Sequence, residues 1–415
     1  MPNFIFRLPV DSQLTDTQRI ALEYQTSLVV SGGPGSGKTV VTIYKFLSPV
    51  KNKKDAILFT YNKTLLASIR GLLISKSEEL FGDLNKYWID QIIKSNVASF
   101  SKFYGDINYS NSDEVSSKFE KKLVDRGGRK FSEIFFDEAQ DLTSAVFENA
   151  FILADKVSCG ADDAQNLQGN FFQDEAIDAI LNSLKSQQET NLQQLEANFR
   201  NTKEIFEFAR SFVPDDESVQ SISIDDLPSG EKPEVFDGLT GTLQLQKILE
   251  IIDNNSTSNI GILVNYGNQV IDIKQYLENN GYSCKHDAPE RYSFSYYFNG
   301  MDVDDEDVMF DKLKTPFVVT YDSCKGLEFD IVIMPFFNDA EKALEKPRKY
   351  RGENDEIIYY KNIDETIKYY ATMNHFYVGS TRARTQLFIL CNERPDILKF
   401  FYDNEANEAK KDLPF

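Results

Sequence analysis

The segment Ser31-Gly32-Gly33-Pro34-Gly35-Ser36-Gly37-Lys38-Thr39 constrains this chain more than any other. From Gly32 to Thr39 it fits G-x-x-x-x-G-K-[ST]. The run Ser27-Leu28-Val29-Val30 before it reads as a buried strand, and Val40-Val41-Thr42-Ile43-Tyr44-Lys45 after it reads as a helix. Gly32, Gly33, Gly35 and Gly37, with Pro34 and Ser36 among them, let backbone N–H groups close on phosphate oxygens. The helix N-terminus adds positive partial charge at the same place. Lys38 is then placed to reach the β- and γ-phosphates, and the Thr39 hydroxyl to ligate Mg²⁺. An ordinary glycine-rich turn is the plain alternative, but the pattern is complete and its flanks are the strand and helix it requires. The segment predicts a nucleoside triphosphate site.

A second motif supplies the chemistry. Ile134-Phe135-Phe136-Asp137-Glu138-Ala139-Gln140-Asp141 is an apolar strand ending in acids, 98 residues beyond Thr39. In a parallel sheet such a strand end shares an edge with the phosphate loop. Asp137 there would hold Mg²⁺, and Glu138 would orient and deprotonate the attacking water. An acidic helix N-terminus would also favour Asp and Glu, but the complete phosphate loop upstream makes the catalytic reading the better one.

The chain of 415 residues is long enough for two or three domains with real cores. Cys159, Cys284, Cys324 and Cys391 form no C-x-x-C pair, which disfavours a zinc ribbon or a disulfide framework. The only histidines, His286 and His375, make a histidine metal site improbable. The N-terminus lacks a signal peptide's charged start and cleavage site, and no apolar run is long enough to span a membrane; a cytoplasmic protein is expected. A formal charge of −20 argues against indiscriminate coating of nucleic acid, while leaving room for a locally basic groove.

Strand and helix signals alternate along the chain, which implies parallel sheets. The first series has strands at Ser27–Ser31, Ala56–Tyr61, Glu133–Asp137 and Val157–Ala161, with helical patterns at Thr64–Leu73 and Thr143–Asp155. The second has strands at Leu192–Ala197, Asn259–Val264, Phe317–Tyr321, Ile331–Pro335 and Gln386–Cys391. Its helices are expected at Lys203–Ser211, Gly241–Asp253, Asn268–Asn280 and Glu365–Arg384. Pro214–Pro233 reads as a connector, the acidic run Asp302–Asp307 as a solvated loop, and Glu341–Glu356 as a surface excursion.

Asp137-Glu138-Ala139-Gln140-Asp141 is where the chain begins to resemble the UvrD/Rep-type superfamily 1 helicases, and the resemblance continues in order through nearly its whole length. Leu14-Thr15-Asp16-Thr17-Gln18 looks like the adenine-reading segment, with Gln18 the base contact. Leu58-Phe59-Thr60-Tyr61-Asn62-Lys63 and Val97-Ala98-Ser99-Phe100-Ser101-Lys102-Phe103 look like elements that line the single-strand groove. Cys159-Gly160-Ala161-Asp162-Asp163-Ala164-Gln165 looks like G-D-x-x-Q, which makes Gln165 a γ-phosphate sensor. Leu195-Glu196-Ala197-Asn198-Phe199-Arg200-Asn201-Thr202 looks like L-x-x-N-[YF]-R-[ST]-T, with Phe199 stacking on adenine and Arg200 on the γ-phosphate. The run from Tyr321 to Asp330 places Glu328 near the ribose, and Tyr377-Val378-Gly379-Ser380-Thr381-Arg382-Ala383-Arg384 makes Arg382 a second γ-phosphate arginine.

The resemblance implies two RecA-like P-loop NTPase lobes with parallel sheets: 1–190, with the phosphate loop, and 191–415, with the arginines. Only 77 residues separate Thr60 from Asp137, and 120 separate Arg200 from Thr320, so accessory helical subdomains are expected to be reduced or absent, with a small insert at 282–314. Two residues depart from the family: Asp322 and Ser101 stand where it has histidines facing nucleic acid, and an acid there repels phosphate. Tyr61, Phe100, Phe103 and Tyr104 are either base-stacking groups or core aromatics. The resemblance implies an ATP- and Mg²⁺-dependent translocase or helicase on single-stranded nucleic acid, DNA before RNA, with 3′→5′ polarity. The alternative is an ATP-driven switch controlling a protein partner such as a nuclease.

Overall fold

The computed structural model describes residues 4–82, 85–100, 103, 111–171, 175–285, 288–301, 313–351 and 355–402. The fold is α/β, with two six-stranded parallel sheets, one in each of two RecA-like lobes. One compact unit holds Phe6–Phe199 with Asn362–Thr366; the other holds Arg200–Lys361, the described residues from Ile367 onward, and Phe4 and Ile5 at the start of the chain.

The first sheet contains β1 (Ser27–Gly32), β2 (Ala56–Thr60), β3 (Val97–Ser99), β4 (Glu133–Asp137), β5 (Val157–Ala161) and β6 (Thr190–Leu195), in the order β3-β2-β4-β5-β1-β6. Alternation along each strand feeds two cores. Ile57, Phe59, Ile134 and Phe136 face the helices Ser112–Asp125 and Ala176–Lys185, while Leu58 and Phe135 face α2 (Lys38–Lys51) and Lys86–Asn96. The helices between Thr60 and Asp137 are thus spent on covering the sheet. Phe100 belongs to this core, 5.6 Å from the Phe59 ring, and Phe103 packs on it at 4.9 Å; Tyr61 is exposed. Ser101, Lys102 and Tyr104 lie outside the described residues.

The second sheet contains β7 (Glu234–Phe236), β8 (Ile260–Val264), β9 (Ser295–Tyr297), β10 (Phe317–Thr320), β11 (Phe329–Met334) and a last strand, Ala383–Leu390, which lies between β7 and β11. Ile260, Ile262, Val264, Ile331 and Ile333 face the helices Gly241–Asn254 and Gly267–Asn279. The run 302–307 and much of the 282–314 region lie outside the described residues; β9 is the described strand there. Among the described residues, no helix is long and apolar enough to cross a membrane.

The helix read at Thr143–Asp155 is the shorter Ser144–Asn149, the connector Pro214–Pro233 holds a short helix at Glu217–Gln220, and two elements differ more widely from the sequence reading. The strand placed at Leu192–Ala197 is Thr190–Leu195, and it pairs with β1 as the edge of the first sheet rather than opening the second. The long helix placed at Glu365–Arg384 is only Met373–Ser380. Ile367 and Tyr369 are strand formers and make antiparallel bridges to Lys361 and Pro347. The helix starts where Thr372 exchanges hydrogen bonds with His375 in a capping box.

Candidate nucleotide site and second-lobe arginine cluster

Parallel pairing brings the carboxyl ends of β1, β4 and β5 to one edge of the first sheet, and the site is built there. The loop after β1 depends on glycine at two points. Gly37 (φ 94°) caps α2 from the left-handed region, and at Gly32 (φ 149°) a Cβ would come within 2.5 Å of the Leu195 carbonyl oxygen. Gln18, on the helix Asp16–Glu23, donates from its side chain to the Ser36 carbonyl at 3.1 Å. The Phe199 N–H donates to the Gly35 carbonyl at 2.9 Å, and its ring is exposed. The two residues assigned to adenine therefore both border the loop.

Lys38 opens α2 with its ammonium nearly buried. It donates to the Gly32 and Gly33 carbonyls at 2.6 and 3.0 Å and to Asp162, just past β5, at 3.1 Å. Thr39 donates to Asp137 Oδ2 at 2.8 Å. Glu138 follows in the left-handed region (φ 55°, ψ 50°), which costs a non-glycine residue about 1–3 kcal/mol and turns the chain sharply off the strand. Burial, then the neighbouring Glu138 charge, raises the Asp137 carboxyl well above its ordinary value; the Thr39 bond and Lys38 pull the other way.

Sequence reasoning quoted Gln140 and Asp162 without giving them roles, and the structure makes them the connectors. Gln140 donates to Glu138 at 2.5 Å and accepts from the Asp162 N–H at 3.2 Å. Asp162 Oδ2 accepts from Lys38 and, at 2.5 Å, from Gln165. One chain of hydrogen bonds so joins Glu138, Gln140, Asp162, Lys38 and Gln165. Spacing in the sequence carries no signal of it, because the partners meet only when β4 and β5 lie side by side.

These residues fit the group that the phosphate loop implies. Asp137 and Glu138 are adjacent buried carboxylates whose charge a cation would relieve, and the Thr39 hydroxyl already faces Asp137. One hydroxyl and one carboxylate, with phosphate and water completing the shell, is the donor set Mg²⁺ takes. Ser36 Oγ is buried without a hydrogen-bond partner beside the same loop, as a phosphate-facing hydroxyl would be.

The second lobe holds its own cluster. Arg200 pairs with Glu328 at 3.4 Å and donates to the Thr381 carbonyl; Arg384 approaches the same Glu328 at 3.5 Å. Asn201, fully buried, donates to the carbonyls of Thr381 and Ala383. Arg382 is also buried, with its guanidinium on the carbonyls of Val378 and Leu327 and the Thr381 hydroxyl. Asp322, the acid expected to repel phosphate, is engaged by Arg348 at 2.7 Å and by His375 at 3.0 Å. Although burial opposes it, the His375 hydrogen bond and charge, with the Arg348 guanidinium, hold the Asp322 carboxyl well below the usual carboxylate range. The structure therefore brings Gln18, Gly32–Thr39, Asp137, Glu138, Gln165 and Phe199 together in one lobe, and Arg200, Glu328 and Arg382 in the other.

The sequence profile of the Schlafen group 3, DNA/RNA helicase domain matches residues 25–393. No curated protein matches the sequence. Among solved structures, the C-terminal domain of a "possible DNA helicase" from Lactobacillus plantarum WCFS1 is similar at 16% identity and a TM-score of 0.28, over 49% of this chain and 93% of that one. The DUF1998 helicase MrfA bound to DNA is similar at 12% identity and a TM-score of 0.47, over 95% of this chain. This chain spans about half the length of that helicase, 48%.

Proposed function

Because the chain belongs to the Schlafen group 3, DNA/RNA helicase domain family, we propose that it is an ATP-hydrolysing motor of the UvrD/Rep type that moves along single-stranded DNA in the 3′→5′ direction. The observation that carries this reading is the continuous hydrogen-bond chain from Glu138 through Gln140 and Asp162 to Lys38 and Gln165. A nucleotide-binding protein without turnover needs the loop and Lys38, but not a carboxylate held in strained backbone and tied to a glutamine sensor.

In this reading Gly32, Gly33, Pro34, Gly35, Ser36 and Gly37 cradle the triphosphate of ATP, and Gln18 and Phe199 hold the base. Lys38 exchanges a loop carbonyl for phosphate oxygen. Thr39 and Asp137 would hold Mg²⁺, which when bound offsets charge on the phosphates. Glu138 takes the proton of the attacking water, and its left-handed backbone with the Gln140 bond fixes the carboxylate for that task. Arg200 and Arg382 stabilise transition-state charge, a contribution of roughly 10³–10⁵ in rate for arginines so used; Glu328 contacts the ribose and holds Arg200 in place meanwhile. Gln165 reports phosphate occupancy to Lys38 through Asp162.

The alternative, an ATP-driven switch for a partner nuclease, drew part of its support from Asp322 as a repulsive acid. That support weakens with Asp322 paired to Arg348 and His375. The test is steady-state ATP hydrolysis with and without single-stranded DNA. Stimulation that rises with strand length is the expected result; no stimulation at any length or salt concentration rejects the motor.

A further inference from the structure

Seven of the eighteen large hydrophobic side chains exposed among the described residues fall within positions 350–369. The chain there forms β12 (Lys349–Arg351) and β13 (Ile357–Tyr359), an antiparallel pair, extended by bridges between Pro347 and Tyr369 and between Lys361 and Ile367. None of the described residues in 344–370 is buried. A two-stranded hairpin alone is marginal in water, and this arm has no core of its own. It is fixed at its foot: Arg348 pairs with Asp322, and Lys346 lies over the Tyr266 and Tyr370 rings at 5.0 and 5.4 Å.

The composition of the arm points to its occupant. Residues 346–370 hold six basic residues and five tyrosines against five acids, a near-neutral segment in a chain of formal charge −20, and the stretches 346–351, 357–361 and 367–370 carry all the bases and tyrosines. The acids of the arm sit at its turns, such as Asp355 and Asp364. Tyr350 and Tyr360 lie with ring centroids 5.0 Å apart, both exposed. A nucleic-acid strand offers both a phosphate for each cation and a π-face for each ring, so it matches both halves of this interleaving. Beside the foot lies a cavity of about 480 Å³ where the rings of Tyr266 and Phe336 and the Lys346 ammonium meet two acids, Asp272 and Asp339.

We propose that this arm is a stacking platform for a single DNA strand, with Tyr350, Tyr359, Tyr360 and Tyr369 supplying ring faces and the basic residues between them supplying phosphate contacts. The inference rests on the motor reading above and adds to it the place where the strand is gripped. It is tested on the full chain with a fluorescent dT20 strand followed by anisotropy. Tyr350→Ala/Tyr359→Ala/Tyr360→Ala is expected to weaken binding at least tenfold while DNA-independent ATP hydrolysis stays unchanged. The triple Phe variant, which keeps the rings, is expected within about threefold of wild type. Wild-type binding by the triple Ala variant overturns the platform and leaves the motor standing; failure of the wild type to bind either dT20 or U20 overturns both. Tighter binding of U20 than dT20 replaces DNA by RNA as the occupant and overturns the proposal as stated. If the triple Ala variant loses thermal stability, photocrosslinking of iodouracil-bearing DNA to the wild type decides: adducts within 346–370 support the arm, and adducts only elsewhere overturn it.

Discussion

Asp162 shows why residue identity alone undersells this site. Lys38, Thr39, Asp137 and Glu138 are legible in the sequence because local rules place them: a glycine turn, a helix start, the end of an apolar strand. Asp162 stands in the G-D-x-x-Q-like run, but its partners are not legible until β5 pairs with β1 and β4, after which its one carboxylate holds both Lys38 and Gln165. Asp162→Ala should lower kcat for ATP roughly 10–100-fold, the scale of loss when a group that orients a ligand is removed, and should weaken stimulation by DNA. Phosphate release with and without a dT strand measures both; a kcat within twofold of wild type would show that Lys38 needs no such tether. Asp322 makes a different prediction. Its carboxyl is held below the ordinary value, so its contribution to stability is full above pH ~4 and is lost as the pH falls through the depressed value. At neutral pH Asp322→Asn should cost about 1–3 kcal/mol, because Arg348 and His375 lose a charged acceptor. Urea midpoints of the two proteins should converge as the pH is taken below 4; a constant difference down to pH 2 would contradict the assignment.

At the scale of elements, strands were easier to read than the segments joining them. β1, β4, β5 and β8 are short runs buried on both faces, and apolar continuity marks them. The arm carried the opposite signal. Its tyrosines and isoleucines fit a helical spacing as well as an extended one, and nothing local says that they stay in water. Thr372 and His375 alone mark where helix begins. Strand packing also explains a glycine that no turn requires. In β8, a Cβ at Gly261 would overlap the Phe329 ring of the neighbouring β11. Gly261→Ala should therefore destabilise the second sheet by about 1–3 kcal/mol, the usual effect of overfilling a packed core. Calorimetry should show one unfolding transition lowered by several degrees while a second, from the lobe that holds the phosphate loop, stays in place. An equal shift of both transitions would mean that the lobes do not unfold separately.

For the whole molecule, charge decides how such a protein could hold DNA at all. A formal charge of −20 raises the free energy of bringing any polyanion close. Affinity must then come from a few local contacts rather than from the general field. Each neutralised phosphate on a single strand contributes a slope of about −0.7 to log K against log salt. The arm offers at most six basic residues, of which Arg348 already pairs with Asp322 and Arg351 with Asp355. A strand gripped there should show a slope no steeper than about −3 to −4, with much of the remaining affinity from stacking and hence insensitive to salt. Anisotropy of a dT20 strand between 50 and 300 mM NaCl measures it. A slope near −8 would require a second basic track, and the acidic net charge would then be confined to faces away from it. A shallow slope that flattens further when Lys349 and Lys361 are replaced by Ala would place the phosphate contacts on the arm.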